Sequence, residues 1–197
     1  MRKLGLLGFA CTAITLVCLA RAQEIDIAAG GSTLFSNKST SSSQAYIPPA
    51  EKGGVYPSVS AEAVFGNRFG FDVETAFRYK RGLYNGYQRY RPVLTDVNGV
   101  FAPKVGAKTT ADIMAGWGLE TLSFYNQFGN CTGVCPTFIS SNHFLLHAGA
   151  DVRYYFWRHF FARPEGHYYY IVGNTDEFHS HNVLRLGVSV GYSFGRK

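Results

Sequence analysis

The chain has 197 residues, which suits one domain with a sizeable core. Nineteen Lys and Arg stand against 13 Asp and Glu, a formal charge of +6. Half of that surplus lies in the first 22 residues and the rest is scattered, so a nucleic-acid-binding basic patch is excluded.

Arg2 and Lys3 precede an almost wholly apolar stretch, residues 4–19, and Ala20-Arg21-Ala22 then supplies small residues where a signal peptidase reads. Residues 1–22 are therefore expected to be a secretory signal, cleaved before Gln23. The apolar stretch falls short of the roughly 20 residues that a spanning helix needs. Lipid attachment is disfavoured: Val17 stands before Cys18, and Gly8 occupies the place where Leu is wanted ahead of Cys11. No later apolar run is long enough for a helical span. The exported chain is either soluble or inserted as a barrel, with residues 23–197 as its single domain.

Eight segments follow in which residue character alternates with period two, the mark of strands with two unlike faces. Residues 24–35, 56–65 and 89–102 carry the weaker pattern. In 71–80, Phe71, Val73, Thr75, Phe77 and Tyr79 oppose Asp72, Glu74, Arg78 and Lys80. In 109–124, Asp112 and Glu120 oppose Ile113, Trp117 and Leu119. In 143–156, Phe144, Leu146, Val152, Tyr154 and Phe156 oppose His143, His147, Asp151 and Arg153. Segment 160–170 has Arg163, Glu165 and His167 on its polar face. The clearest is 183–194, where Leu184, Leu186, Val188, Val190, Tyr192 and Phe194 alternate with Arg185, Gly187, Ser189, Gly191 and Ser193.

The connections alternate in length. Gly66-Asn67, residues 103–108 and Trp157-Arg158-His159 are short, whereas 37–54, 126–142 and 174–182 are long or polar and 81–88 is intermediate. Short turns at one end and longer loops at the other are the habit of outer-membrane barrels. The expected fold is all-β, a transmembrane antiparallel up-and-down barrel of about eight strands.

Alternation does not say which face is inside, and a secreted lipocalin-like binding barrel would put its apolar face inward. Three features favour lipid. Acids and arginines share one face with small residues, while strand lysines are few; such charges suit a narrow polar interior where each needs a partner. The interior network is expected to hold Glu62, Asp72, Glu74, Arg78, Asp112, Glu120, Asp151, Arg153, Arg163, Glu165 and Arg185, with Asp26 and Asp96 in phase with them. Aromatic residues crowd the segment ends, at Phe65, Tyr79, Phe124-Tyr125, 154–157, Phe160-Phe161 and 168–170, as interfacial girdles do. Strands of about 11 residues, tilted near 40°, cross the hydrocarbon layer.

Tyr192-Ser193-Phe194 has the alternate aromatic ending of an outer-membrane insertion signal, although Gly195-Arg196-Lys197 follows it. Leu186-Gly187-Val188-Ser189 followed by Tyr192-Ser193-Phe194-Gly195 resembles the last strand of the OmpA transmembrane domain, and the chain's pattern is similar to the OmpA-like outer-membrane β-barrel family. That resemblance implies a bacterial outer-membrane location, lipid and lipopolysaccharide as surroundings, and insertion machinery engaging Tyr192 and Phe194. It also implies a monomer with a structural or surface-contact role. No segment matches the peptidoglycan-binding domain of full OmpA.

Cys131 and Cys135 remain after export and are expected to form a disulfide at a loop tip; two thiolates alone supply half a zinc site. In His179-Ser180-His181, with Asp176 and Glu177 nearby, a lipid A-modifying hydrolase has the residue types for a nucleophile and base. Adjacent loop residues seldom converge, so no catalytic site is expected. Glu165 and His167 are read as part of a structural ion network, and His143 and His147 as too far apart for one metal ion. No cofactor or metal is expected. An eight-stranded barrel is filled by its own side chains, so a general porin is not expected.

Overall fold

A computed structural model of the chain describes residues 24–37, 50–66, 68–84, 88–125, 138–174, 178 and 180–195. Its strands are β1 (Glu24–Phe35), β2 (Tyr56–Phe65), β3 (Phe69–Phe77), β4 (Gly82–Tyr84), β5 (Gln88–Phe101), β6 (Lys104–Gly106), β7 (Thr109–Tyr125), β8 (Phe138–Trp157), β9 (Phe160–Ile171) and β10 (Asn182–Phe194). The three-residue strands β4 and β6 only extend hairpins at the rims. The other eight form a closed antiparallel barrel, in which β5 pairs with β7 and β1 with β10.

Closure follows from the side chains. Each long strand alternates buried and exposed positions, as in β10, where Val183, Arg185, Ser189 and Ser193 are buried and Leu184, Leu186, Val188 and Val190 are exposed. Unlike faces of this kind fix register, because a one-residue slip would turn every side chain over. Tight turns gather at one end, with Gly66 (φ 58°) after β2 and Arg158 (φ 44°) after β8 both in the left-handed region that such turns use. Close packing of neighbouring strands also excludes a side chain at Gly187, where a Cβ would lie 2.7 Å from that of Ser32 and 3.1 Å from Glu165 Oε1.

Several strand limits differ from the sequence reading. Strand β8 starts at Phe138, because its small polar residues Ser140, Ser141 and Asn142 continue the ladder against Ser123, Leu122 and Thr121 of β7. Strand β3 ends at Phe77, leaving Lys80 exposed beyond it. The connection at 81–88 contains β4, which pairs back onto Arg89 and Tyr90. The aromatic clusters also divide between faces: Tyr155, Phe161 and Tyr169 point inward and are buried, while Tyr154, Phe160, Tyr168 and Tyr170 point out.

Among the described residues, the middle of the barrel is charged and the apolar clusters lie toward its ends. Leu34, Tyr56, Leu94, Leu145, Tyr169, Ile171 and Val183 form an apolar layer toward the long-loop end. Ala28, Tyr155 and Phe161, with Val100, Ala102 and Met114, pack toward the tight-turn end. Between these ends lie the charged side chains. Outside, an apolar surface from Phe69, Phe71, Ile113, Trp117, Leu146, Val188 and similar residues faces away from the protein. Among the described residues no helix is long and apolar enough to cross a membrane, a statement that does not bear on strands.

Candidate functional site

The charged middle of the barrel is assembled one residue per turn of alternation. Asp26, Glu62, Asp72, Glu74, Asp96, Asp112, Asp151 and Glu165 are each 5% exposed or less, and so are Arg153, Arg163 and Arg185. Carboxylates in such surroundings need compensation, since an isolated buried charge is very costly. Arg153 supplies it for three acids. Its guanidinium contacts Asp26, donates to Glu62 Oε1 at 3.1 Å and to Asp112 Oδ1 at 2.7 Å. Arg163 donates to Glu165 Oε2 at 3.1 Å, to Ser60 Oγ at 2.9 Å and to Ser189 Oγ at 3.0 Å, and faces Asp151 at 3.8 Å. Arg185 lies 2.6 Å from Glu74 Oε1 and 3.8 Å from Glu165 Oε1.

Asp72 and Asp96 meet an amide instead. Asn98 Nδ2 donates to Asp96 Oδ1 at 2.5 Å and to Asp72 Oδ2 at 3.4 Å. Asn98 Oδ1 is 2.5 Å from His147 Nδ1, and His147 Nε2 is 3.0 Å from His167 Nδ1. The two imidazoles stack, and Tyr169 stacks on them in turn. Nothing in the sequence marked Asn98 as the hinge of this arrangement, because a lone Asn at an inward position is uninformative until its neighbours are known.

Two residues grouped with the network in the sequence stand apart from its centre. Arg78 lies beyond the end of β3 at the long-loop mouth, where NH1 donates to Tyr90 Oη at 2.6 Å. Glu120, fully buried, opposes Leu94 of the apolar layer and His143 across its two ladders, and meets Glu51 of the segment that folds over the mouth. Residues 50–55 fold back onto this mouth, tied by Gly53 N–H to Leu34 O at 2.8 Å and by Tyr79 N–H to Val55 O at 2.9 Å. They bury Glu51 completely. The sequence reads as a long Ser-rich loop over 37–54 and does not single out Glu51.

Burial pushes the Glu51 carboxyl up to about 7, against the lowering influence of Glu120, Asn174, Arg78 and His143. A carboxyl raised in the folded state binds its proton more tightly there than in the unfolded chain, whose value is near 4.5. Its stabilising contribution is therefore complete below that value and is lost as pH rises through about 7. Glu51→Gln is expected to flatten this part of the pH–stability curve, a change of about 1–3 kcal/mol between the two limits. Urea unfolding at pH 4.5 and pH 8 measures it, and an unchanged slope in the variant would refute the assignment.

The loop considered for hydrolysis does not bring its described residues together. Ser180 Oγ donates to Asn182 O at 3.2 Å and accepts from Asn182 N–H at 3.1 Å. His181 Nδ1 lies 2.7 Å from Ile171 O, and its ring stacks on Tyr170. His179, Cys131 and Cys135 lie outside the described residues. A serine–histidine contact does occur in β8, where Ser141 Oγ is 3.0 Å from His143 Nε2.

No family model matches the sequence, and no curated protein does. The fold, in contrast, has close counterparts among solved structures. The N-terminal β-barrel domain of Pseudomonas aeruginosa OprF matches with a TM-score of 0.58 at 14% identity, over 88% of this chain and 98% of that one. The attachment invasion locus protein Ail of Yersinia pestis matches with a TM-score of 0.56 at 16% identity, over 87% and 98% of the two chains. Neisserial surface protein A gives 0.58 at 13% identity, over 87% and 96%. The chain thus has the closed eight-stranded fold of small OmpA-like outer-membrane barrels, as its strand pattern had implied.

Proposed function

We propose that this protein resides in the bacterial outer membrane as a non-enzymatic barrel that contributes to envelope integrity or presents its long loops for surface contact. One observation carries the reading: apolar side chains cover the outside of the closed sheet, while ionisable ones are buried within it. In water the arrangement would expose residues such as Ile113, at 61%, and Trp117, at 59%, over the whole wall. In lipid it satisfies both faces, because closure leaves no unpaired strand edge in hydrocarbon. The apolar layer and the charged network fill the lumen, which supports a structural role over that of a general pore.

Residues 1–22 would direct export, and Tyr192 and Phe194, on the outer face of β10, would present the insertion signal to the assembly machinery. Lipopolysaccharide would surround the long-loop end, and a monomer is sufficient because no edge strand is left over. Cys131 and Cys135 would form the loop-tip disulfide. Outer membranes extracted in detergent should contain the protein as a species whose gel migration changes on boiling. Recovery in the aqueous fraction without detergent would refute the location. The hydrolase alternative predicts altered lipid A on mass spectrometry in Ser180→Ala cells; unchanged lipid A removes it.

A further inference from the structure

The hydrogen-bond chain through Asn98 sets the state of a buried imidazole. Because Asn98 Nδ2 donates to two carboxylates, its Oδ1 is the acceptor for His147 Nδ1–H at 2.5 Å. A neutral His147 then offers a lone pair at Nε2, which accepts from His167 Nδ1–H at 3.0 Å. His167 Nε2 is thereby left as a bare lone pair, and among the described residues it has no hydrogen-bond partner. It faces Glu74 Oε2 and Glu165 Oε1, each 3.8 Å away, and all three side chains are 5% exposed or less. An acceptor aimed at two carboxylates, sealed from water, requires a positive species between them.

We propose that Glu74, Glu165 and His167 form a binding site for a divalent first-row transition ion of the Zn2+ class. Ligand atoms of these three residues lie within 4.8 Å of one another. Donors about 2.1 Å from one tetrahedral ion sit about 3.4 Å apart, so the two His167 Nε2–carboxylate distances of 3.8 Å need only a small contraction, and the two carboxylates, within 4.8 Å, a larger one. Mixed imidazole and carboxylate ligation selects such an ion over Mg2+ or Ca2+, which prefer oxygen alone. His147 is a positioning residue that fixes the His167 tautomer, the usual outer partner of a ligating imidazole.

Charge points the same way. Asp72 and Asp96 adjoin Glu74 with ligand oxygens likewise within 4.8 Å, and Asp72 Oδ1 has no partner. Arg185 contacts Glu74 and, at 3.8 Å, Glu165, and its guanidinium lies over the Tyr169 ring. Two guanidiniums, of Arg163 and Arg185, serve five acids, Glu74, Glu165, Asp72, Asp96 and Asp151, so the carboxyls outnumber the cations that face them. The competing occupant is a second proton on His167. Since Tyr169 and the apolar layer cap the site, the ion would be taken up as the barrel folds and released slowly.

The test uses the full exported chain with Cys131 and Cys135 replaced by Ser, so that thiolates cannot contribute. It is refolded into detergent micelles with Zn2+, or with Co2+ as a spectroscopic probe, and freed of loose metal by external chelator. Folding is checked by heat-modifiable migration. The expected result is about one ion per folded chain with visible Co2+ absorption, falling at least tenfold in His167→Gln and unchanged in His181→Gln. Folded wild-type chain without metal would overturn the proposal and leave the proton as occupant, as would His167→Gln retaining its ion. Should His167→Gln fail to fold, the wild-type stoichiometry alone decides.

Discussion

Replacing Arg153 by Met is expected to lower the unfolding free energy by about 3–5 kcal/mol, the largest loss for a single interior side chain. The reason is geometric. One guanidinium, 1% exposed, serves Asp26, Glu62 and Asp112, which come from three different strands and, among the described residues, have no other arginine in ion-pair contact. Removing it leaves three carboxyls with neither water nor a counterion. The same reasoning predicts rescue: Asp26→Asn, Glu62→Gln and Asp112→Asn, added together to Arg153→Met, should recover most of the loss, because neutral amides need only hydrogen bonds. Urea titration of the barrel in lipid vesicles measures both. A loss under about 1 kcal/mol for Arg153→Met would mean that the acids are already compensated otherwise.

The second large effect is on the opposite face. Val188→Arg, near the middle of β10, is expected to cost about 2–4 kcal/mol in a bilayer, the penalty of a charged side chain at its midplane. Val188 is 57% exposed and pairs with Gly31 on one side and Pro164 on the other, so no packing is lost with its methyl groups. In water, a substitution at so exposed a site would fall within about 0.5 kcal/mol. The size of the effect therefore reports what surrounds the wall. The same titration checks it, with Val188→Ser as a neutral control.

Much of the fold could be read from the chain because one physical rule repeats along it. Period-two alternation in residues 183–194 predicts both strand and register, and β10 spans Asn182–Phe194. The limits that went astray are where the rule has no signal. Residues 138–142 are mostly small or polar, so only the partner strand β7, already extended to Tyr125, reveals that they continue the ladder. Reading adjacent aromatic residues as whole girdles overlooked parity: Phe161 and Tyr169 share the inward face of Arg163 and Glu165, and only Phe160, Tyr168 and Tyr170 point out.

The candidate site was legible in membership and illegible in pairing. Alternation placed Asp72, Glu74, Arg153, Arg163, Glu165 and Arg185 on one face, but strand stagger decides which of them meet. Arg153 reaches Asp26, 127 residues away in sequence. The same stagger carries Arg78 and Glu120 to the mouth and draws in Asn98. Glu51 was hidden for a different reason: a loop residue has no period, and its burial depends on residues 50–55 folding back over the rim.

Spin labels on single cysteines test the inside-out arrangement most directly. Labels at Leu186, Val188 and, as the inward site, Ser189 would be introduced with Cys131 and Cys135 replaced by Ser, and the barrels reconstituted in lipid bilayers. Labels at Leu186 and Val188 should collide readily with dissolved oxygen and hardly at all with a water-soluble nickel chelate, while the label at Ser189 should be shielded from both. Strong collisions of the chelate with the labels at Leu186 and Val188 would place that face in water and contradict the account.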